Sequence, residues 1–345
     1  MCPATSKMSP SPFRTIVDFS PNSLRIDHDR AVLLVGSCFS EHIGSRLGDF
    51  RFRLCSNPTG VLYNPLSIVK AIHRVLEGRE YTQEEMFHDR GQWKSFDHHS
   101  RFNASTVEKC LDRANNSLRR AGGALDSLGT LILTFGTAFV YRLASDERVV
   151  ANCHRLPHTN FTRSLAGVGE IVTSCRELLS ILYERDANLN VIFTVSPVRH
   201  LRDSPHENQV SKSHLITAVY ELERLFPNAY YFPSYEIMMD ELRDYRFYDS
   251  DMVHPSSVAI DYLWERFTES CISPRGIRFI KAYAPILKAC EHRIQDLDSE
   301  STRSFAKGQL DRIDRLNNEF PEVSLRNDRI YFESLASAGP GEVSG

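Results

Sequence analysis

Two short stretches carry side chains whose types and spacing can do nucleophilic chemistry. In "AVLLVGSCFSEHIG", Ala31 to Gly44, an apolar run stops on Gly36 and is followed at once by a hydroxyl and a thiol, Ser37 and Cys38. In "YRFYDSDMVHPSSVAIDYLWERF", Asp251 and His254 stand three apart just before a Pro-Ser helix start. An aspartate that accepts from one imidazole nitrogen fixes the tautomer and supports the cation formed when the other nitrogen takes a proton. His254 then reads as a base, Asp251 as its orienting group, and Ser37 or Cys38 as the nucleophile of an acyl transfer. Each stretch taken alone also fits plain structure, with Ser37 capping a helix, Cys38 packing, Asp251 capping and His254 solvated.

Such a constellation needs elements that bring both stretches to one mouth. Ala31 to Gly36 has the continuous apolar character of a buried parallel strand, and Phe39, Ile43 and Leu47 then recur at helical spacing. Ligands bind at the C-terminal ends of strands in open α/β sheets, and a helix N-terminus there favours negative charge. Further along, the stiff Asn-Pro loop Ser56 to Asn64 precedes a helix from about Pro65. A helix over Ser105 to Ala121 leads to a buried strand, Leu131 to Phe135, ending on Gly136-Thr137-Ala138. A helix over Val168 to Arg185 precedes the β-branched "NVIFTV", which stops at Ser196-Pro197. Ser211 to Arg224 reads as a helix, "NAYYFPSYEI" as a short strand and turn, and "SVAIDYLWERF" as another helix. This alternation predicts an α/β fold with a mostly parallel central sheet covered on both faces. From Pro285 to Glu319 a charged, leucine-spaced stretch predicts a C-terminal helical hairpin or arm for packing or oligomerisation.

Composition narrows the chemistry. In 345 residues, 41 basic and 44 acidic side chains leave a net charge of −3, which calls for neither nucleic acid nor an anionic membrane. Eight cysteines without a CxxC pair point to a reducing compartment. The N-terminal "MCPATSKMSPSPFRT" lacks the apolar core of a secretory signal, and no run has the length of a membrane span, so the expectation is a cytoplasmic protein. Glycine-rich phosphate loops are absent. His98, His99, Cys153, His154 and His200 lack a recognised metal-ligand spacing, so neither a metal nor another cofactor is expected. Residues 1–12 and the tail 335–345 carry too little apolar surface to offset their ordering entropy and are expected to be disordered.

A small nucleophile after the first strand and Asp-x-x-His before a late helix is the chain order of the SGNH, or GDSL-like, hydrolases. The chain resembles the GSCFA family, an SGNH-like group whose naming motif stands here as "GSCFS", with Ser40 in place of the final Ala. The resemblance continues through "NPTGVLYNP", "FGTAFVYR", "VANCHR", "SPVRHLRD" and "FPSYEIMMDELRDYRFYDSDMVHPS". It implies a three-layer α/β/α SGNH-hydrolase-like domain over residues 13–280, with a C-terminal helical extension over 281–334.

Laid on the superfamily's Gly-Asp-Ser motif, Gly36 and Ser37 take the first two places and Cys38 becomes the positional nucleophile, its thiol pKa lowered by a His and a helix start. Ser37, one residue away, remains the competitor. By the same resemblance the oxyanion donors are the nucleophile's N–H, Gly60 and Gly136, while Ala138 stands where the family pattern has an Asn. Asn57, Asn64 and Asn152, the last joined by Cys153 and His154, are candidates to fill that gap. Arg199, His200 and Lys212 either meet an anionic substrate or are simply solvated. The implied function is an esterase, thioesterase or acyltransferase on a small-molecule or carrier-bound acyl substrate, a glycan among the options. The competing reading is a catalytically silent binding or scaffold protein.

Overall fold

The computed structural model describes residues 15–19, 24–294, 296 and 299–337. The expected disorder of residues 1–12 and of 338–345 falls outside them. Five strands, β1 (Ala31–Gly36), β2 (Leu54–Ser56), β3 (Leu128–Phe135), β4 (Asn190–Val195) and β5 (Ala229–Phe232), form one parallel sheet in the order β5-β4-β3-β1-β2. That order reverses direction between β1 and β3, the switch point where doubly wound sheets open a crevice for ligands.

Alternation along the strands sorts the core into two layers. Odd-numbered residues such as Leu33, Val35, Leu133, Phe135 and Phe193 meet α2 (Pro65–Glu77), α4 (Val168–Arg185) and α5 (Pro205–Leu225). Even-numbered residues such as Val32, Leu34, Ile132 and Ile192 meet α1 (Cys38–Asp49), α6 (Ser257–Cys271) and α7 (Pro274–Glu291). Helix α3 (Val107–Leu125) packs beside α2 through Leu118, Ala121 and Val75. The mostly parallel sheet covered on both faces that the alternation predicts, and the three-layer α/β/α arrangement that the resemblance implies, are therefore present. Two excursions leave the sheet: the hairpin Phe87–Asp89 with Gln92–Lys94, and an antiparallel trio Phe139–Leu143, Val149–Val150 and Phe161–Leu165.

The expected C-terminal helical extension is present, but its helices begin and end elsewhere than expected. Helix α7 begins at Pro274, where Ser273 Oγ accepts from the Gly276 N–H at 2.8 Å, and Pro285 lies inside it rather than at its start. With α8 (Glu300–Glu319) and α9 (Arg326–Ser337) it joins the even-face core through Tyr283, Ile286, Ile313, Phe320 and Phe332. Leu335 is buried in the last turn of α9, so the tail expected to be disordered from that residue is helical to Ser337. Among the described residues no helix is long and apolar enough to cross a membrane.

Candidate active site

The strand ends align in one row: Gly36 stands opposite Thr134, Thr134 opposite Thr194, and Thr194 opposite Phe232. The turns after these strands therefore open on the same edge. At the end of β1 only glycine fits, because a Cβ on Gly36 would sit 2.2 Å from the Thr134 carbonyl oxygen. Ser37 is the N-cap of α1, but its side chain makes no capping bond. Its Oγ is buried without a hydrogen-bond partner among the described residues. Cys38 is the first residue of α1 and only partly buried.

The resting thiol is not the low-pKa group expected from the helix start. Burial pushes the Cys38 pKa up from its ordinary 9.0, and Glu41 adds to the rise. The N–H groups of Phe39 and Cys38 and the more distant Lys212 ammonium pull the other way and do not prevail.

Across the mouth, the loop before α6 is tied into one shape. Asp251 Oδ1 accepts from the backbone N–H groups of Val253 and His254, each at 2.9 Å, and Asp251 Oδ2 accepts from His254 Nδ1 at 2.6 Å. The Asp249 N–H donates to the His254 carbonyl at 2.7 Å, and Ser256 N–H to Phe247 O at 2.8 Å. These bonds hold the Asp251 carboxyl down at about 2, the His254 backbone N–H contributing most. With Nδ1 donating to the carboxylate, Nε2 is left as the basic nitrogen.

Ser37, Cys38, Gly136, His200, Asp251 and His254 all line one cavity of about 340 Å³, walled further by Tyr63, Ser196, Val198, Arg199, Leu201 and Val253. The nucleophile candidates and the Asp-His pair thus share a chamber, as their sequence order implied. No hydrogen bond joins Cys38 to His254 among the described residues.

The expected oxyanion donors fare differently. The Gly60 N–H donates to the Asn57 carbonyl at 2.8 Å within its own turn, and Gly60 packs against His99 outside the cavity. The Gly136 N–H lies at the cavity but donates to the Tyr63 carbonyl at 2.7 Å, as does the Thr137 N–H at 3.0 Å. Ala138 is fully buried, its N–H given to Ser211 Oγ at 2.8 Å. None of the three asparagines fills the gap at Ala138. Asn57 Oδ1 holds the Gly36 N–H, Asn64 caps α2 at Ser67, and Asn152 holds the His154 N–H. Asn64, Asn152 and His154 instead line a second, polar chamber of about 640 Å³ with Arg155, Arg163 and Arg202. His154 is pinned there by a 2.8 Å contact of its Nε2 with the Ser95 carbonyl.

His200 belongs to both chambers, its ring edge-on to Tyr63 with centroids 5.2 Å apart. Burial first, then the charges of Lys212 and Arg163, push its pKa down to about 4, so the imidazole is neutral at ordinary pH. Lys212 is a correction to the solvated reading. It is 1% exposed beneath the site, and its Nζ donates to the Gly136 carbonyl at 2.6 Å and the Ser196 carbonyl at 2.5 Å. Burial takes its pKa down to about 7. Tyr63 was not singled out from the sequence; "NPTGVLYNP" placed a tyrosine two residues before the α2 proline, and no periodicity marked it as facing a site. Among the described residues no group of His, Cys, Asp or Glu stands together so as to hold a metal ion.

A family model described as GSCFA family matches residues 31–267. No curated protein matches the chain. Solved structures similar to it include a candidate platelet activating factor from Streptococcus pneumonia, 12% identical over 70% of this chain and 83% of that one, with a TM-score of 0.36. An active-site mutant of a family two carbohydrate esterase from Clostridium thermocellum is 12% identical over 71% of this chain and 63% of its own, TM-score 0.36. An acetyl xylan esterase from Butyrivibrio proteoclasticus is 11% identical over 71% and 65%, TM-score 0.35. The chain thus spans less than two thirds of either esterase.

Proposed function

The chain belongs to the GSCFA family, and from that premise we propose that it is an acyl-transfer enzyme acting on ester or thioester bonds through a covalent acyl intermediate on Cys38. The observation that carries this reading is the cavity in which the Asp251-oriented imidazole of His254 faces the start of α1. Cys38 is preferred over Ser37 because, although both line the cavity, the Ser37 hydroxyl oxygen is buried and has no hydrogen bond to a base among the described residues, whereas the Cys38 side chain is partly open.

In the proposed reaction His254 Nε2 takes the thiol proton as Cys38 Sγ attacks the acyl carbonyl. The tetrahedral oxyanion lies against the N–H groups that open α1, which are already directed toward the sulfur. Collapse breaks the bond to the alcohol or thiol half, which leaves with the proton from His254. Water, or another hydroxyl or amine, then enters, gives its proton to His254 and attacks the thioester. The product acid or transferred acyl group leaves, and the proton returns to Cys38. The raised resting pKa of Cys38 makes this concerted proton transfer necessary, since little thiolate is present beforehand. Neutral His200, shared with the polar chamber, borders the path of the leaving half.

The test is intact and peptide mass after brief exposure to activated acyl esters and thioesters, with Cys38→Ala, Ser37→Ala and His254→Ala alongside. The expected result is an adduct on Cys38 that is slowed by loss of His254. An adduct on Ser37 would move the nucleophile by one residue. One feature favours the second reading, a silent binding protein: Cys38 and His254 share the cavity without a hydrogen bond between them among the described residues. Equal labelling of wild type and all three variants, or none with any donor, would select it.

A further inference from the structure

A third cavity, of about 430 Å³, opens beside the catalytic one and shares Arg199, Leu201 and Val253 with it. Its wall is largely flexible and apolar, with Met238, Met239, Leu242, Tyr248 and Met252, while Arg199, Arg243 and Asp244 add charge to the lining. Three of the six methionines of the chain are gathered here, and methionine fits itself to flexible, unbranched ligands. Two further observations point to the same place. Leu201, Tyr245 and Met252, exposed by 81%, 78% and 58%, all border this one cavity, and such clustering of exposed apolar side chains marks a binding surface. The segment Ile237–Glu241, which carries Met238 and Met239, is wound as a π-helix, a local irregularity that recurs at functional sites.

The second chamber, which meets the Cys38 cavity at Tyr63 and His200, has a different lining, with Arg155, Arg163, Arg202 and His158 and no methionine. A substrate bound across Cys38 therefore meets methionine-rich surface in one direction and surface rich in arginine and histidine in the other. We propose that the methionine-lined cavity is the subsite for the acyl chain, which makes the substrate class a medium-chain acyl ester or thioester. Its alcohol or thiol half would then lie toward the polar chamber. This rests on the proposed acyl transfer at Cys38 for its chemistry, but the cavity binds an alkyl chain whether or not the chemistry proceeds.

The experiment has two arms, both on the full chain. In the first, kcat/KM is measured for acetyl, butyryl and octanoyl p-nitrophenyl esters with wild type and Met239→Trp, a replacement that fills the cavity from outside the catalytic machinery. The expected result is an octanoyl preference over acetyl of at least about tenfold in wild type, lost in Met239→Trp while acetyl turnover is unchanged. An acetyl preference in wild type, or an equal loss on both esters in the variant, would overturn the subsite and leave the acyl chemistry standing. In the second arm, octanamide binding is measured by calorimetry, independent of turnover. Binding that Met239→Trp weakens at least about tenfold supports the subsite even if no ester is turned over, in which case the enzymatic reading alone falls. No binding of octanamide to wild type would sink the subsite.

Discussion

The turns after β1 and β3 stand side by side at the same sheet edge, and both open on a glycine, yet they serve opposite ends. After β1, Gly36 is required by backbone: a Cβ would strike the Thr134 carbonyl. After β3, a Cβ on Gly136 would meet only side chains, Tyr63 at 3.2 Å and His200 at 3.4 Å. The first turn presents a thiol and the opening N–H groups of a helix to the cavity. The second turns its amides inward, to the Tyr63 carbonyl and Ser211, and its Gly136 carbonyl to a buried ammonium. One turn offers its thiol to the cavity and the other is the frame that holds it, a distinction invisible from the shared strand-glycine pattern.

The largest effect that tests this contrast is steric. Gly36→Ala must push β1 away from β3 and is expected to cost more than about 4 kcal/mol, enough to leave little folded protein. Gly136→Ala asks only that Tyr63 and His200 shift, with an expected cost of about 1 kcal/mol. Thermal or urea unfolding of the two variants measures the gap, and equal losses would erase the distinction between the turns.

The next effect is on the chemistry assigned to the first turn. His254→Ala is expected to lower acylation of Cys38 by about a thousandfold or more, with unfolding unchanged. Asp251→Asn should cost a comparable amount, up to about ten-thousandfold, because the amide oxygen stays on the Val253 and His254 N–H groups and the NH2 then meets Nδ1, forcing the wrong imidazole tautomer. Single-turnover labelling followed by mass resolves both. If Asp251→Asn labels as fast as wild type, the 2.6 Å contact to His254 Nδ1 is structural only.

The third effect belongs to the frame. The folded Lys212 pKa lies at about 7, below its ordinary 10.5, so between those values the unfolded chain binds more protons than the folded one. Stability contributed by this residue therefore rises with pH across that window, and the cost of charging the buried amine is fully present below about 7. The stability difference between wild type and Lys212→Met is expected to move in favour of wild type by up to about 1.4 kcal/mol per pH unit between pH 7 and 10. Urea unfolding at a series of pH values reads it, and a flat difference would mean that Lys212 does not titrate in the fold.

Much of this architecture was legible in the sequence, for identifiable reasons. Continuous apolar runs ending in glycine or Ser-Pro marked β1, β3 and β4, and the helical spacing of Phe39, Ile43 and Leu47 marked α1. Asp251 and His254 could be paired because a three-residue separation before a helix start is a local relation. The oxyanion donors were misassigned because a glycine's identity says nothing of where its N–H points. Gly60 spends its amide within a turn, and Gly136 on a carbonyl more than seventy positions away in the chain. Lys212 was unreadable for a related reason: α5 is polar along much of its length, and only the closeness of the Gly136 and Ser196 carbonyls makes a buried lysine tenable. Pro285 misled because the Ser273-Pro274 start of α7 lies upstream of where the charged, leucine-spaced pattern becomes evident.

The smallest effect concerns the thiol itself and sharpens what the first turn contributes. A helix start alone suggests an activated cysteine, but here burial and Glu41 outweigh the N–H groups and Lys212, leaving the pKa above 9.0. Alkylation by iodoacetamide proceeds through the thiolate, so the Cys38 rate is expected to climb about tenfold per pH unit through pH 8 and to keep rising beyond pH 9. Glu41→Gln removes the repulsive neighbour and should raise the rate at pH 8 by a few-fold, about twofold to fivefold, without changing the limiting rate at high pH. Peptide-resolved mass measurement separates Cys38 from the other cysteines. A plateau already reached at pH 7 would mean that the thiolate is preformed, and the proton transfer assigned to His254 would then have no proton to take at the resting enzyme.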